Sequence, residues 1–214
     1  MIQFRNVSYT YPGSKKQILD SASFGVAKGD FAVIKGTTGA GKSTIHHLLT
    51  CEANPGSGEI TVGPYELTNI KKRNIPEYRR SIGCVFQDFK LLEEKTVAEN
   101  VAFALEVQRK YTSDRISKEV AEVLERVGMT AERDQFPYEL SQGGQQRVAI
   151  ARALVTEPLV LLADGATAQL DDESAKGIFG LLIAEQIRGM TILMTTTTEH
   201  FFRFFPRSAK YFQL

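Results

Sequence analysis

Residues 36 to 43, Gly36-Thr37-Thr38-Gly39-Ala40-Gly41-Lys42-Ser43, fit the pattern G-x-x-x-x-G-K-[ST]. What flanks them limits what the chain can fold into. FAVI (31–34) reads as a strand running into this turn, and IHHLLT after it is an apolar segment of helical length. In that setting the glycines leave backbone N–H groups free to wrap an anion, and the helix N-terminus adds a favourable dipole. Lys42 can reach phosphate oxygens as a point charge, and the Ser43 hydroxyl can ligate Mg²⁺. A glycine-rich turn without the strand and helix would bind nothing in particular. A second apolar run, Leu159 to Ala163, ends on Asp164, whose carboxylate suits the same Mg²⁺ through water. Alone, that aspartate would read as a turn or helix N-cap residue.

The rest of the chain fits an α/β protein. Strand-like alternation at Ile2, Phe4 and Val7, then at 22–26 and 31–34, is broken by Pro12-Gly13 and Lys28-Gly29-Asp30. Residues 54–67 are punctuated like short hairpin strands, and IGCVF (82–86) is another short strand. Residues 96–128 look helical, with Val97, Val101 and Leu105 at four-residue spacing, then Ile116, Val120, Val123, Leu124 and Val127. A helix near 143–156, the strand VLLAD, a helix near 172–187 and the strand TILMTT close the chain. Strands alternating with helices imply a mainly parallel sheet with a helical insertion between two halves.

Composition narrows the function. The 214 residues allow one well-buried domain, and 26 basic against 25 acidic side chains give no electrostatic case for nucleic-acid binding. Cys51 and Cys84 stand far apart, without CxxC or Cys/His clustering, which fits a reducing cytoplasm. No run nears the ~18 apolar residues of a membrane span and no secretory signal opens the chain, so any membrane role is expected to come through a partner. The basic run KKRNIPEYRR (71–80) reads first as a solvated helix face, and FFRFF (201–205) as packing against the last helix.

ELSQGGQQRVAIARALVTEPLVLLAD (139–164) resembles the signature motif, helix and Walker B strand of the ATP-binding subunits of ABC transporters, and the similarity runs from NVSYTYPG to TILMTT. RRSIGCVFQDFKLLEEKTVAENVAFALEV (79–107) and MIQFRNVSYTYPG are most similar to the cell-division members of that family. The resemblance implies a P-loop NTPase fold with a mainly parallel RecA-like core, an antiparallel β subdomain and an α-helical subdomain. The core lobe would comprise about 1–88 and 158–214, and the helical signature subdomain about 89–157, within a single domain of 1–214.

It also implies the cofactors ATP and Mg²⁺ and a set of roles. Tyr11 would stack on adenine, although a tyrosine beside a Pro-Gly turn alone would be simple packing. Residues Gly36 to Ser43 with Thr44 would cradle phosphate. Gln87 would sense the γ-phosphate and Mg²⁺, so that Ser43, Gln87 and Asp164 form the metal set. Ser141, Gly143 and Gly144 would contact ATP held by the opposite subunit of a homodimer, with Asp171 at the boundary. An integral membrane partner, of permease or FtsX type, would place the chain on the cytoplasmic face of the membrane.

Three positions depart from the family pattern. Glutamate usually follows the Walker B aspartate, and here Gly165 does. Onward, Ala166-Thr167-Ala168-Gln169-Leu170-Asp171 replaces Pro-Thr-Gly-Asn-Leu-Asp. Thr197 stands where a switch histidine is expected. Leu140-Ser141-Gln142-Gly143 replaces Leu-Ser-Gly-Gly, unless a one-residue slip makes Gly143-Gly144 the pair. Glycine cannot accept a proton, and loss of a general base costs on the order of 10²–10⁴-fold in rate. No catalytic residue is therefore intact, and hydrolysis is expected to be weak or absent while Mg·ATP binding survives. Asp172, Glu173, Glu199 and His200 are the groups near enough in sequence to substitute. The alternatives are an active export or lipoprotein-release ATPase rescued by such groups, and a scaffold that ignores nucleotide. A GTPase or small-molecule kinase is a poor fourth reading, because the signature segment has no role there and no NKxD-like selector follows the cradle.

Overall fold

A computed structural model describes residues 1–196 and 199–214, with side chains of the last segment from Phe202 onward. Its elements are β1 (Ile2–Thr10), β2 (Gln17–Val26), β3 (Phe31–Lys35), α1 (Lys42–Leu49), β4 (Ser57–Val62), β5 (Tyr65–Glu66), α2 (Ile75–Arg80) and β6 (Ile82–Val85). There follow α3 (Val97–Glu106), α4 (Ser113–Val127), α5 (Gln142–Leu154), β7 (Val160–Asp164), α6 (Asp172–Ile187), β8 (Thr191–Thr196) and β9 (Lys210–Gln213). Short 3₁₀ helices lie at Lys72–Asn74, Pro137–Glu139 and Glu199–Phe204.

The strands form two sheets. One is antiparallel, in the order β2-β1-β4-β5; the other is parallel, in the order β6-β7-β8-β3-β9. In the parallel sheet, β3, β7 and β8 are apolar almost without interruption, as strands covered on both faces must be. Alternation sorts their side chains. Phe31, Val33, Leu161, Ala163, Ile192 and Met194 face one core, and Ala32, Ile34, Val160, Leu162 and Leu193 face the other. The first core is closed by α3, α4, α5 and α6, the second by α1 and the antiparallel sheet. The α/β architecture with a parallel core and a separate antiparallel sheet is thus as expected for a P-loop fold.

The helical span 96–128 is two helices. Thr96 opens α3 with a capping box involving Glu99. The chain then breaks between α3 and α4, where Arg109 has φ 54°, and Thr112 caps α4 by accepting from the Arg115 N–H. Gly128, in the left-handed region at φ 69°, ends α4. A buried ion pair fastens α4 to α6: Glu185 accepts from Arg126, and Arg188 Nη1 donates to Glu185 Oε1 at 3.0 Å.

Two stretches depart from their sequence reading. The basic run is not simply a solvated face. Its Tyr78 is fully buried and donates to the Leu49 carbonyl at 2.5 Å, while Arg79 Nε donates to the Thr50 carbonyl at 2.8 Å, closing the end of α1. The tail adds an unexpected parallel edge strand, β9, beside β3. Before it, Phe204 and Phe205 pack on Phe179 of α6 with ring centroids 5.8 and 4.8 Å apart, so this aromatic cluster belongs to the core. Lys35, at the end of β3, places its ammonium 4.0 Å from the Phe202 ring centroid and 4.2 Å from that of Tyr211. Phe179 holds this aromatic group together. Phe179→Ala should lower the unfolding free energy by about 3–5 kcal/mol, read from a urea midpoint at unchanged slope.

Candidate functional site

The carboxyl ends of β3, β7 and β8 open on one cleft of about 610 Å³. Open parallel sheets bind ligands at such an edge. Tyr11, Thr38, Gly39, Gly41, Lys42, Ser43, Thr44, Gln87, Asp164 and Gly165 line it, so residues far apart in sequence meet in one place. Ile18, Ala168, Thr195 and Thr196 also line it and carry no signal in the sequence. Ile18 arrives because β2 returns beside β1, and the two threonines because β8 lies between β7 and β3.

The turn from β3 into α1 is shaped by glycine. Gly39 has φ 81° and Gly41 φ 98°, and a Cβ on Gly41 would stand 2.7 Å from Ile18 Cγ2. Gly41 is the N-cap of α1 and offers no side chain to its first turn, leaving the leading N–H groups directed at the cleft. The Lys42 ammonium spans the loop, donating to the carbonyls of Gly36 and Thr37 at 2.8 Å each, and Ala40 N–H donates to the Thr37 carbonyl at 3.1 Å. Gly36, Thr37 and Ala40 therefore form the frame of the loop. Burial pushes the Lys42 pKa below the usual lysine value, and the charge of Asp164 pulls it back up.

Asp164 Oδ1 accepts from the Thr195 hydroxyl at 2.5 Å, which fixes the carboxylate at the end of β7. Ser43, Gln87 and Asp164 supply a hydroxyl, an amide oxygen and a carboxylate to the same cleft. Hard oxygen donors of this kind suit Mg²⁺. Tyr11 and Thr44 share a hydrogen bond at 2.9 Å, joining β1's outgoing loop to the first turn of α1, and the Tyr11 ring keeps an exposed face.

Gly165 is more constrained than its sequence reveals. It sits at φ 58°, its N–H donates to the Thr195 carbonyl at 3.3 Å, and its carbonyl accepts from Ala168 N–H at 2.9 Å. A Cβ added there would meet Gln87 Oε1 at 3.1 Å. The turn is thus left-handed and closed against Gln87, a shape that favours glycine. Thr197 lies outside the described residues.

Ser141, Gly143 and Gly144 are elsewhere. They line a second, open cleft of about 1040 Å³ with Glu139, Arg147, Glu173 and Ser174. Ser141 caps α5, its hydroxyl accepting from Gly144 N–H at 3.1 Å, and Gln142 is the exposed first residue of that helix. Asp171 caps α6, accepting from the Ser174 N–H at 2.9 Å and the Ser174 hydroxyl at 2.8 Å, which together lower its pKa. A Cβ on Gly143 would stand 3.1 Å from that same hydroxyl, so the two helix starts touch. Two separate clefts on one chain carry the two groups of residues.

The ABC transporter family model matches residues 19–168. The chain is 46% identical over 200 residues to the cell division ATP-binding protein FtsE of Mycobacterium tuberculosis, covering 94% of this chain and 86% of the relative. It is 41% identical to FtsE of Escherichia coli K12, covering 92% and 87%. A dimeric post-hydrolysis structure of the ATP-binding cassette MJ0796 bound to ADP and Pi superposes with TM-score 0.86 at 30% identity, covering 100% of this chain and 94% of that one. The cbiO1 subunit of Clostridium perfringens, from the ABC transporter complex cbiONQ, superposes with TM-score 0.84 at 32% identity, covering 92% and 78%. The chain belongs to the ABC transporter ATP-binding family. Within that family it is FtsE-like.

The geometry at Gly165 has a measurable signature. Gly165→Ala should cost about 1–2 kcal/mol, because it forces a Cβ into the left-handed region. Gly180→Ala, in α6 with open space around its Cβ, should instead stabilise by about 0.5–1 kcal/mol. Equal effects of the two substitutions on the urea midpoint would contradict this account of the turn.

Proposed function

We propose that this chain is the nucleotide-binding subunit of an FtsE-like membrane complex that acts in cell division, and that it binds Mg·ATP but splits it slowly or not at all. The observation that carries this reading is a contrast within one cleft. Lys42, Ser43 and Asp164 stand together there, while the position after Asp164 is a glycine folded into a left-handed turn.

The N–H groups at the start of α1 and the Lys42 ammonium would receive the β- and γ-phosphates, Lys42 exchanging its two carbonyl partners for phosphate oxygens. Tyr11 would face the base. Ser43, Gln87 and Asp164 would hold Mg²⁺, which neutralises phosphate charge when bound. Gly165 has no group to take a proton from water. The hydroxyls of Thr195 and Thr196 at the same edge are too weak as bases to replace a carboxylate.

Two copies would close head to tail, with Ser141, Gly143 and Gly144 of one facing the nucleotide of the other. An FtsX-type membrane protein would read the closed state, keeping the chain on the cytoplasmic face of the membrane. ATP then acts as a conformational ligand, shifting the population of closed dimers. The lobes at about 1–88 with 158–214, and at about 89–157, would be the units that move.

Calorimetry with ATP and Mg²⁺ should give saturable binding that Lys42→Ala abolishes. Phosphate release should lie on the order of 10²–10⁴-fold below that of a relative with an intact glutamate. Absence of binding would leave the scaffold reading. Rapid phosphate release that depends on Lys42 would make this an active ATPase, and Glu199→Ala and His200→Ala would then identify the substitute base.

A further inference from the structure

The loop leaving β6 carries Gln87 into the first cleft and then takes a course that few side chains adopt. Phe89 and Lys90, neither of them glycine, have φ 55° and 52°. Consecutive left-handed residues are strained and persist only where the surroundings hold them. Here the hold comes from α5. Arg152 Nη2 donates to the Phe89 carbonyl at 2.8 Å, and Nη1 to the Lys90 carbonyl at 2.5 Å. A guanidinium fork fits two neighbouring carbonyls as a lysine ammonium does not.

Farther along, a second tie holds the same loop. Buried Asn100 accepts from the Leu92 N–H at 2.8 Å and donates to the carbonyls of Leu92, Lys95 and Thr96 at 3.0 Å each. The two ties differ in what they join. Asn100 secures the loop to α3, its immediate continuation. Arg152 secures it to α5, the helix that begins at Ser141 in the second cleft. Arg152 also lines a surface groove of about 400 Å³ with Arg79, Arg80, Phe103 and Val107. One side chain thus touches the Gln87 loop, the signature helix and the outer surface.

We infer that Arg152 is a positioning residue for Gln87. It fixes how far the Gln87 amide reaches into the first cleft, and it passes displacement of α5 to that amide. The inference rests on the reading that this cleft takes Mg·ATP, with Gln87 as a ligand of the metal. Arg152 does not line the first cleft, so its substitution should alter the benefit of Mg²⁺ rather than nucleotide binding as such.

Titrating a fluorescent ATP analogue with Mg²⁺ and with EDTA gives each protein a ratio of affinities. Arg152→Met should reduce that ratio about fivefold, as expected for losing one hydrogen-bonded ligand position, and should leave the EDTA affinity unchanged. Gln87→Ala should match it, and the double variant should fall no further than the worse single one. Arg152→Lys should recover part of the ratio and serves in place of Met if the latter does not fold. A uniform loss with and without Mg²⁺, or additive losses in the double variant, would make Arg152 a structural prop and overturn the inference. Amide exchange in nucleotide-free protein gives a second reading. Residues 86–92 should exchange faster in Arg152→Met, while 42–49 should not change. If wild type binds no nucleotide the proposed function fails, and exchange then decides the clamp, an unchanged 86–92 segment disproving it.

Discussion

Everything in this molecule hangs on three strands that are covered on both faces. β3, β7 and β8 pair in parallel and in register, Phe31 beside Ile192 and Leu161 beside Ile192 on the other side, so their carboxyl ends stop at one level. From that line the chain releases the glycine turn after β3, Asp164 at the end of β7, and Thr195 and Thr196 at the end of β8. A core packed on two sides tolerates little sliding, because a shift of one residue would exchange the two faces. The hydroxyl of Thr195 can meet Asp164 at 2.5 Å because the sheet leaves those two residues paired. Rigidity in the strands and freedom in the loops are combined at the same edge.

Much of this was legible from residue order. The strand–glycine turn–helix sequence defines α1 and its cradle, and the apolar run before Asp164 defines β7, because burial on both faces demands a continuous apolar stretch. Other parts leave no local trace. β9 is a short, largely exposed strand whose pairing with β3 joins opposite ends of the chain, so neither periodicity nor composition marks it. Ile18 and Ala168 bear no reactive group and reach the cleft through topology alone. Gly165 announces the missing carboxylate by its identity, but the left-handed turn and the closeness of Gln87 appear only in three dimensions. Arg152 is, by sequence alone, one basic residue on a helix, because its two carbonyl partners belong to a loop distant along the chain.

The two clefts depend on each other through helix ends. Ser141 starts α5 and Asp171 starts α6, and the Ser174 hydroxyl lies against Gly143 where the two starts meet. Small residues at that meeting let the backbones approach. Gln142 adds bulk one position away, on the exposed side. The Arg126–Glu185 pair ties α4 to α6 through a carboxylate removed from water, which Arg188 of its own helix also holds.

The turn at Gly165 also bears on how such a chain could change over generations. With positive φ and Gln87 close by, any larger side chain at that position carries a backbone penalty before it can contribute chemistry. A lone acidic residue there would thus meet both the left-handed backbone and Gln87, unless Ala166 or its neighbours also reshaped the bend. Placing a carboxylate at this position therefore calls for a change of turn as well as a change of residue.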